Sequence, residues 1–267
     1  MDLGLEGKVC LVLASSKGLG MACAQEFYRE GAHVVICSRS HENLMQAREH
    51  IEKQVSSHGS NKLLAVVADL QHEDQISSLV EKTIQEFGRI DILVHNAGGP
   101  PSAPIEKISQ KDWKNSIDLN LLSFIRITYE ILPYMQKQKF GRIIAITSVS
   151  VKQPLDNLVL SNTTRLGVVG FAKSLANEYA KDNILVNVVC PGPNLTDRMK
   201  ELIDSTVQTT GRSEEEVMKN WIDQIPLGRL GKPEELANLV VFLASKKASY
   251  ITGTTIQVDG GFSKAPF

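Results

Sequence analysis

Short apolar runs alternate with longer amphipathic segments along the whole chain. Seven runs have the length of a strand, and most are almost wholly apolar, which is typical of strands covered on both faces. They cover residues 8–14, 33–38, 63–68, 91–96, 142–147, 184–189 and 255–260. Helix-length segments lie between them, such as 18–30, 42–57, 73–87 and 111–138. Repeated strand–helix units predict right-handed crossovers and a parallel sheet.

This alternation predicts an α/β fold in three layers, a doubly wound parallel sheet of seven strands with helices on both faces. No internal repeat or low-complexity linker interrupts the pattern, so residues 1–267 are interpreted as one domain. Segment 193–225 is rich in polar residues and helix formers and has no strand-like run. We expect it to form a flap on the substrate side, inserted before the last strand.

Charge and composition exclude several classes of partner. The formal net charge is −1 and no basic block stands out, so neither nucleic acid nor an anionic membrane surface is expected. The apolar runs fall short of the ~20 residues that span a bilayer, and the N-terminus has no leader pattern. The acids and histidines lack metal-ligand spacing, so we expect no metal.

The four cysteines are scattered and lack the CxxC spacing of a zinc or redox site. They are Cys10, Cys23, Cys37 and Cys190. Small buried thiols explain them best. Free thiols are typical of a reducing compartment, and we expect the protein in the cytoplasm.

The segment ASSKGLG, residues 14–20, joins the first predicted strand to the first predicted helix. A glycine-containing turn in this place directs backbone N–H groups and the helix dipole at a pyrophosphate. Gly18 and Gly20 would let the backbone approach the phosphates because they lack a Cβ. A simple tight turn is the alternative for so short a motif. Its position after the first strand favours nucleotide binding.

Further motifs follow this turn in an order that resembles the short-chain dehydrogenase/reductase family, and 3-oxoacyl-ACP reductases in particular. The family's opening pattern T-G-x-x-x-G-x-G reads LASSKGLG here, with Ala14 in place of the first glycine. The other matches are ADL (68–70), HNAGG (95–99), DLN (118–120), ITS (146–148), VNVVCPGPNLTD (186–197), PLGRLGKPEELANLVVFLAS (226–245) and YITGTTIQVDGG (250–261). The likeness covers almost the whole chain.

The resemblance implies a Rossmann-type fold and assigns roles to particular residues. Ser148 stands at the position of the catalytic serine, and Asn120 at that of a helix-bending asparagine that holds an active-site water. The implied cofactor contacts are Ala14, Ser16, Lys17, Gly18, Leu19, Gly20, Asp69, Leu70, Asn96, Ala97, Gly98, Arg165, Pro191, Gly192 and Thr196. The family's long helices, here around 111–138 and 160–181, commonly pair across two-fold axes. We therefore expect a homotetramer, or failing that a dimer.

The second predicted strand ends in CSRS, residues 37–40, without the acid that binds both adenosine ribose hydroxyls in NAD-dependent proteins. Arg39 and Lys17 offer positive charge where a 2′-phosphate would lie, and the arginine fork suits phosphate oxygens. Solvated surface charges are the alternative. The pattern favours NADP(H) as the cofactor.

Alignment on Ser148 and on GVVGFAKSLA (167–176) places Ser161 and Arg165 where the family has its proton-donating tyrosine and its lysine. A serine hydroxyl is far less acidic than a phenol, whose pKa is about 10. Arg165 can bind ribose hydroxyls but cannot relay a proton. A cap on the N-terminus of its helix is the alternative interpretation of Ser161.

Other proton donors are considered for the same site. We expect the five tyrosines on outward or packing faces, and His95 packed at the end of its strand. Lys152 and Asp156 lie on a loop that borders the substrate in the family, and either could be recruited.

Two functions remain open at this point. The first is an NADP(H)-dependent oxidoreductase that acts on a small-molecule carbonyl, alcohol or activated alkene through a non-standard site. The second is a catalytically impaired NADP(H)-binding protein that serves as a sensor, scaffold or partner subunit. Retention of Asn120 and Ser148 favours the enzyme. A hydrolase built on Ser148 would lack a nearby histidine base.

Overall fold

The computed structural model describes residues 2–55 and 60–266. Within this part of the chain, one sheet contains seven strands. They are β1 (Val9–Val12), β2 (His33–Ser38), β3 (Leu63–Val67), β4 (Ile92–His95), β5 (Gly141–Ile146), β6 (Ile184–Pro191) and β7 (Thr255–Val258). All pairs are parallel, in the order β3-β2-β1-β4-β5-β6-β7. The predicted Rossmann-type sheet is confirmed.

The helices follow the predicted amphipathic segments. They are α1 (Gly18–Arg29), α2 (His41–Gln54), α3 (Glu73–Phe87), α4 (Gln110–Ser116), α5 (Ser123–Gln138), α6 (Val159–Tyr179), α7 (Asp197–Thr210), α8 (Glu214–Asp223) and α9 (Pro233–Ala244). The helix predicted over 42–57 ends at Gln54, because Val55 is extended, and residues 56 and 57 lie outside the described residues. The single helix predicted over 111–138 is divided into α4 and α5 by a π-helical turn, Ile117–Leu122.

Two apolar layers cover the two faces of the sheet. Phe27 of α1, Leu44 of α2 and Val240 of α9 belong to the first core. Side chains of α3, α5 and α6 form the second, which includes Phe124. Phe27 and Phe124 are fully buried, and burial of such a side chain contributes ~2–3 kcal/mol. This double cover explains why the strands are apolar almost without alternation.

The position of β1 creates the opening of the binding crevice. Cys10 of β1 pairs with Val34 of β2 on one side and with Ile92 of β4 on the other. The chain therefore winds in opposite directions from the two sides of β1. In open α/β sheets, ligands bind outside the carboxyl ends of the strands at such a switch point.

Segment 193–225 contains the helices α7 and α8 and no strand within it. Met199 and Ile203 of α7 pack with Val217 of α8 and with Phe262 near the C-terminus. Val149, which follows β5, belongs to the same cluster. The flap is thereby held against the carboxyl edge of the sheet.

The described residues were also searched for membrane-spanning helices, metal-ligating clusters and disulfides. In ranges 2–55 and 60–266, no helix combines the length and apolarity of a bilayer span. The same ranges hold no group of three or more metal-ligating His, Cys, Asp or Glu side chains. All four cysteines are buried free thiols.

Candidate active site

A crevice of about 440 Å³ follows the carboxyl ends of the strands at the switch point. It brings together most of the residues that the sequence singled out. Those that line it are Ala14, Ser16, Lys17, Gly18, Leu19, Arg39, Asp69, Leu70, Asn96, Ala97, Gly98, Ser148, Ser161, Arg165, Pro191, Gly192 and Thr196. Gly20 and Asn120 are not among the lining residues.

The turn over residues 14–20 presents the N-terminus of α1 to the crevice. Gly18 has a φ of 57°, a conformation that glycine adopts without strain. Lys17 precedes the helix and makes no side-chain cap. The first N–H groups of α1 are therefore free to bind an anion, and a pyrophosphate fits there.

Gly20 packs tightly between the turn and the end of β4. A Cβ at this position would lie 2.5 Å from the Ala14 carbonyl oxygen and 2.8 Å from Asn96 Nδ2. Gly20 thus permits close packing of α1 on the turn. Asn96 Nδ2 also donates to the Ala14 carbonyl at 3.1 Å, which ties the turn to the end of β4.

Lys17 and Arg39, the cationic residues that follow β1 and β2, differ in their ion pairing. Arg39 is exposed, lines the crevice, and forms no ion pair within residues 2–55 and 60–266. Lys17 Nζ, in contrast, lies 3.1 Å from Asp197 Oδ2. Lys17 is therefore not the free cation that the sequence suggested. No acid stands at the end of β2 beside Arg39.

Asp69 is oriented by its own loop at the end of β3. Its Oδ1 accepts from the Gln71 N–H at 3.0 Å, and its backbone N–H donates to Gln75 Oε1 at 2.8 Å. These bonds hold the Asp69–Leu70 segment at the wall of the crevice.

Ser148 and Ser161 face the crevice from different elements. Ser148 follows β5, and its Oγ accepts from the Ser150 N–H at 3.1 Å. Ser161 is the third residue of α6, after the cap position at Leu158, and makes no cap bond. Its Oγ makes no hydrogen bond to any described residue. The capping interpretation of Ser161 is therefore wrong.

Arg165 lies one helical turn after Ser161 and is 8% exposed. Its Nη1 donates to the carbonyl oxygens of Ile146 at 3.2 Å and Thr147 at 2.9 Å, and Nη2 to that of Ala97 at 3.4 Å. Burial first, and then the charge of Arg198, lower the pKa of Arg165 to about 10. The guanidinium still carries its charge at neutral pH.

His95 is excluded as a proton donor at neutral pH. Burial, and secondly the charge of Arg165, lower the pKa of His95 to about 3. Its Nε2 lies 3.0 Å from Ser123 Oγ, and its ring packs against Phe124 with centroids 4.8 Å apart. His95 packs at the end of its strand, as predicted.

The other candidate donors also lie elsewhere. Within the described residues, the crevice lining includes no tyrosine, histidine, cysteine or glutamate, and neither Lys152 nor Asp156. Its ionisable side chains are Lys17, Arg39, Asp69, Arg165, Asp197 and Arg198. Of the side-chain types that serve as general acids or bases, the described lining therefore holds only the carboxylates of Asp69 and Asp197 and the ammonium group of Lys17.

Asn120 is 1% exposed within the π-helical turn. Its Nδ2 donates to the Ser116 carbonyl at 3.3 Å, whereas its Oδ1 has no partner among the described residues. Such turns often mark functional sites. The structure nevertheless places Asn120 behind the crevice lining.

Sequence reasoning missed the apolar half of the crevice and one arginine. Leu155, Leu158, Met199, Leu202 and Trp221 line this half. Met199 and Leu202 lie three residues apart on α7, a spacing that indicates one helix face and could have pointed to a pocket wall.

Arg198 reaches across the crevice from the flap to the loop after β4. Its Nη2 donates to the Pro100 carbonyl at 2.6 Å. A Cβ on Gly99 would lie 2.5 Å from Arg198 Nε, so a larger residue there would displace the guanidinium from its present position. No sequence signal marks this contact, because it depends on where the flap lies.

Comparisons with known proteins agree with this fold and crevice. The family profile described as enoyl-(acyl carrier protein) reductase matches residues 13–263. A 3-oxoacyl-[acyl-carrier-protein] reductase, FabG, of Thermotoga maritima is 37% identical over 257 residues, which cover 96% of this chain and 98% of that protein.

Solved structures give the same result. The L-sorbose reductase of Gluconobacter frateurii, complexed with NADPH and L-sorbose, superposes with a TM-score of 0.92 at 33% identity and covers 99% of both chains. Actinorhodin polyketide ketoreductase with NADPH superposes with a TM-score of 0.91 at 28% identity, over 97% of this chain and 98% of that one. The doubly wound sheet and its crevice define a Rossmann-type α/β protein. The chain belongs to the short-chain dehydrogenase/reductase family.

Proposed function

We propose that this protein is an NADP(H)-dependent oxidoreductase that moves a hydride to or from a small carbonyl, alcohol or activated alkene. Its active site is non-standard, with Ser161 and Arg165 at the positions where the family has tyrosine and lysine. The observation that carries the proposal is one crevice at the switch point, which combines an open helix N-terminus with Ser148, Ser161 and Arg165.

The backbone of residues 14–20 would hold the pyrophosphate of NADP(H), and the side chains of Arg39 and Lys17 would hold its 2′-phosphate. Asp69 and Leu70 would contact the adenine side, and Asn96, Ala97, Gly98, Pro191, Gly192 and Thr196 the remaining length of the cofactor. Two solved relatives with NADPH support this choice. The bound cofactor would supply the hydride, and the chain's own residues would orient the substrate.

The alternative function is an NADP(H)-binding protein that acts as a sensor, scaffold or partner subunit. One specific observation favours it, because the described lining lacks a tyrosine or histidine donor. The apolar half of the crevice instead favours the oxidoreductase. Leu155, Leu158 and Trp221 line the same crevice as Ser148, and cofactor binding alone does not need such an apolar wall.

Titration calorimetry with NADPH and NADH tests the cofactor. We expect NADPH to bind more tightly, and Arg39→Gln to raise its Kd about tenfold because one charge-assisted phosphate contact is lost. The exposed α2 residue Arg48 provides the matched control, since Arg48→Gln should leave the Kd unchanged. Equal Kd values for NADPH and NADH in the wild-type protein would contradict the NADP(H) assignment.

Incubation with NADPH and a panel of ketones, quinones and enoyl thioesters separates the two functions. Oxidation of NADPH in the presence of a panel member supports the enzyme. Tight NADPH binding without turnover of any member favours the binding protein.

The remaining proposals concern the whole chain. Residues 1–267 would form one domain with 193–225 as its substrate-side flap, and the helices around 111–138 and 160–181 would pair copies of the chain across two-fold axes into a homotetramer, or failing that a dimer. Exposed Tyr129 on α5 lies beside Phe171 of α6 in a shallow surface groove, which supports pairing there. Four free thiols support a reducing compartment such as the cytoplasm. Light scattering that shows a stable monomer at micromolar concentration would contradict the assembly.

A further inference from the structure

Arg165 is a buried cation that faces the crevice without an acidic partner in the described part of the chain. Three backbone carbonyls occupy its Nη1 and Nη2 atoms. Its Nε makes no hydrogen bond to residues 2–55 or 60–266. An ion that is removed from water without a counter-charge is unfavourable unless a ligand supplies one.

Ser161 adds a second donor on the same face of α6. Residues i and i+4 of a helix are neighbours on its surface, so Ser161 and Arg165 lie side by side. Both line the crevice. Ser161 is 6% exposed, and its hydroxyl has no partner among the described residues. The Ser161 hydroxyl and Arg165 Nε, two donors without an acceptor among the described residues, lie in a site of low dielectric and fit an oxygen that carries negative charge.

We propose that Ser161 and Arg165 form an oxyanion-binding subsite for the oxygen of a conjugated enolate. The substrate class is then a carbonyl compound with a C=C bond conjugated to it, and the C=C bond is reduced. This inference rests on the proposed function, because the reduction requires a dihydronicotinamide.

The chemistry of the two donors separates this substrate class from an isolated ketone. Reduction of a ketone leaves an alkoxide, a strong base that needs a proton on oxygen while it forms. Arg165 keeps its proton at neutral pH, and a serine hydroxyl is a weak acid. A fixed cation instead suits an oxygen that stays ionised, and an enolate oxygen is a much weaker base than an alkoxide.

The reaction balances without a protein acid. When the β carbon accepts a hydride from a dihydronicotinamide, one C–H bond forms and the C=C electron pair moves to the α carbon and carbonyl oxygen. The α carbon then takes a proton from water, which leaves hydroxide for the buffer to neutralise. The alkene gains two electrons and two hydrogens, and the nicotinamide loses two electrons and one hydrogen.

The surroundings of the subsite match a mainly apolar substrate. Leu155, Leu158 and Trp221 line the same crevice. Apolar walls lower the local dielectric, which strengthens the attraction between the guanidinium and the enolate oxygen.

A stable enol tests the subsite without turnover. Pentane-2,4-dione is mainly un-ionised at neutral pH, and its enolate absorbs at longer wavelength. We expect the full-length protein, with or without NADP⁺, to bind the dione at pH 7 and to show the enolate band. Binding of the un-ionised form alone would overturn the inference.

Variants of Arg165 and Ser161 test whether these two residues bind the enolate. Arg165→Met should weaken enolate binding about tenfold, because a charged hydrogen-bond donor is lost. Arg165→Lys, which keeps the charge, should retain part of the affinity, and Arg48→Gln, at an exposed position on α2 outside the crevice lining, should leave dione binding unchanged. Equal binding by Arg165→Met would overturn the inference. If that variant fails to fold, Ser161→Ala provides the test. Loss of the hydroxyl should weaken enolate binding about threefold. Unchanged binding by Ser161→Ala would overturn the inference.

A matched substrate pair tests the consequence for reduction. With NADPH in D₂O, we expect oct-3-en-2-one to give octan-2-one with deuterium on the carbon next to the carbonyl, and octan-2-one itself to be inert. Conversion of the enone to the allylic alcohol, or reduction of octan-2-one, would overturn the inference while the proposed oxidoreductase stands. Failure to bind NADPH would instead remove the proposed function, and the dione experiment would still judge the subsite.

Discussion

Lys17 Nζ lies 3.1 Å from Asp197 Oδ2, so that an ion pair joins the turn after β1 to the first residue of α7. Both side chains are more than half exposed. An exposed pair of this kind contributes only ~0–1 kcal/mol. It nevertheless holds the flap to the turn, and a phosphate that approaches Lys17 must compete with the Asp197 carboxylate.

Removal of the Asp197 charge should therefore strengthen the binding of NADPH relative to that of NADH. We expect Asp197→Asn to lower the Kd for NADPH about threefold, because the cost of breaking the pair disappears. The Kd for NADH should stay unchanged, since it has no 2′-phosphate. Calorimetry with both cofactors checks this, with Asp204→Asn, an exposed position on the same helix, as the control. An equal gain for NADH would show that Asp197 acts on the flap alone.

The parts of the structure that the sequence predicts are those set by local pattern. Apolar runs such as residues 91–96 identify strands, because burial on both faces demands them. Motifs such as Asn96-Ala97-Gly98 come directly after those strands, and the parallel sheet gathers their ends at one edge. The position of the crevice therefore follows from the chain order.

The parts that could not be predicted depend on contacts between distant segments. The pairing of Lys17 with Asp197 and the reach of Arg198 to Pro100 arise only when the flap folds over the turn. Whether Ser161 caps α6 or faces the crevice depends on where that helix begins. Because α6 begins at Val159, Ser161 lies inside the helix and does not cap it. Asn120 lies in a π-helical turn that periodicity does not reveal.

Ala14 adopts a backbone conformation that suits glycine better. Its φ is 45°, and a left-handed conformation costs a residue with a Cβ ~1–2 kcal/mol. Ala14→Gly releases this strain but adds ~0.4–1 kcal/mol of unfolded-chain entropy. We expect a net gain of about 1 kcal/mol, which raises Tm by ~2–4 °C. Calorimetric melting checks this, and Ala22→Gly within α1 should lower Tm. A lower Tm for Ala14→Gly would contradict the assigned strain.

The buried His95 makes stability depend on pH. Its pKa is about 3 in the folded chain against an ordinary 6.5, so below pH 6.5 the unfolded chain binds a proton that the folded chain does not. Stability is therefore lost as pH falls from 6.5 towards 3, by about 2 kcal/mol at pH 5.

Urea unfolding at pH 7 and pH 5 measures this loss. His95→Gln should be less stable at pH 7, since it disturbs the packing on Phe124, but its loss between the two pH values should be smaller by about 2 kcal/mol. His41→Gln, at an exposed position, should lose as much as the wild-type protein. Equal losses for His95→Gln and wild type would show that another group titrates.

Ketone reduction should appear when a proton donor and a lysine are restored together. Ser161→Tyr with Arg165→Lys places a phenol and an ammonium one helical turn apart beside Ser148, and a positioned acid raises such rates about 10²-fold or more. The control is Ser161→Phe with Arg165→Lys, which has the ring without the hydroxyl. The rate of NADPH oxidation with octan-2-one should rise only in the phenol variant and should fall as pH rises through the phenol pKa, because reduction needs the protonated form. Equal rates in the two double variants would show that the hydroxyl does not reach the substrate oxygen.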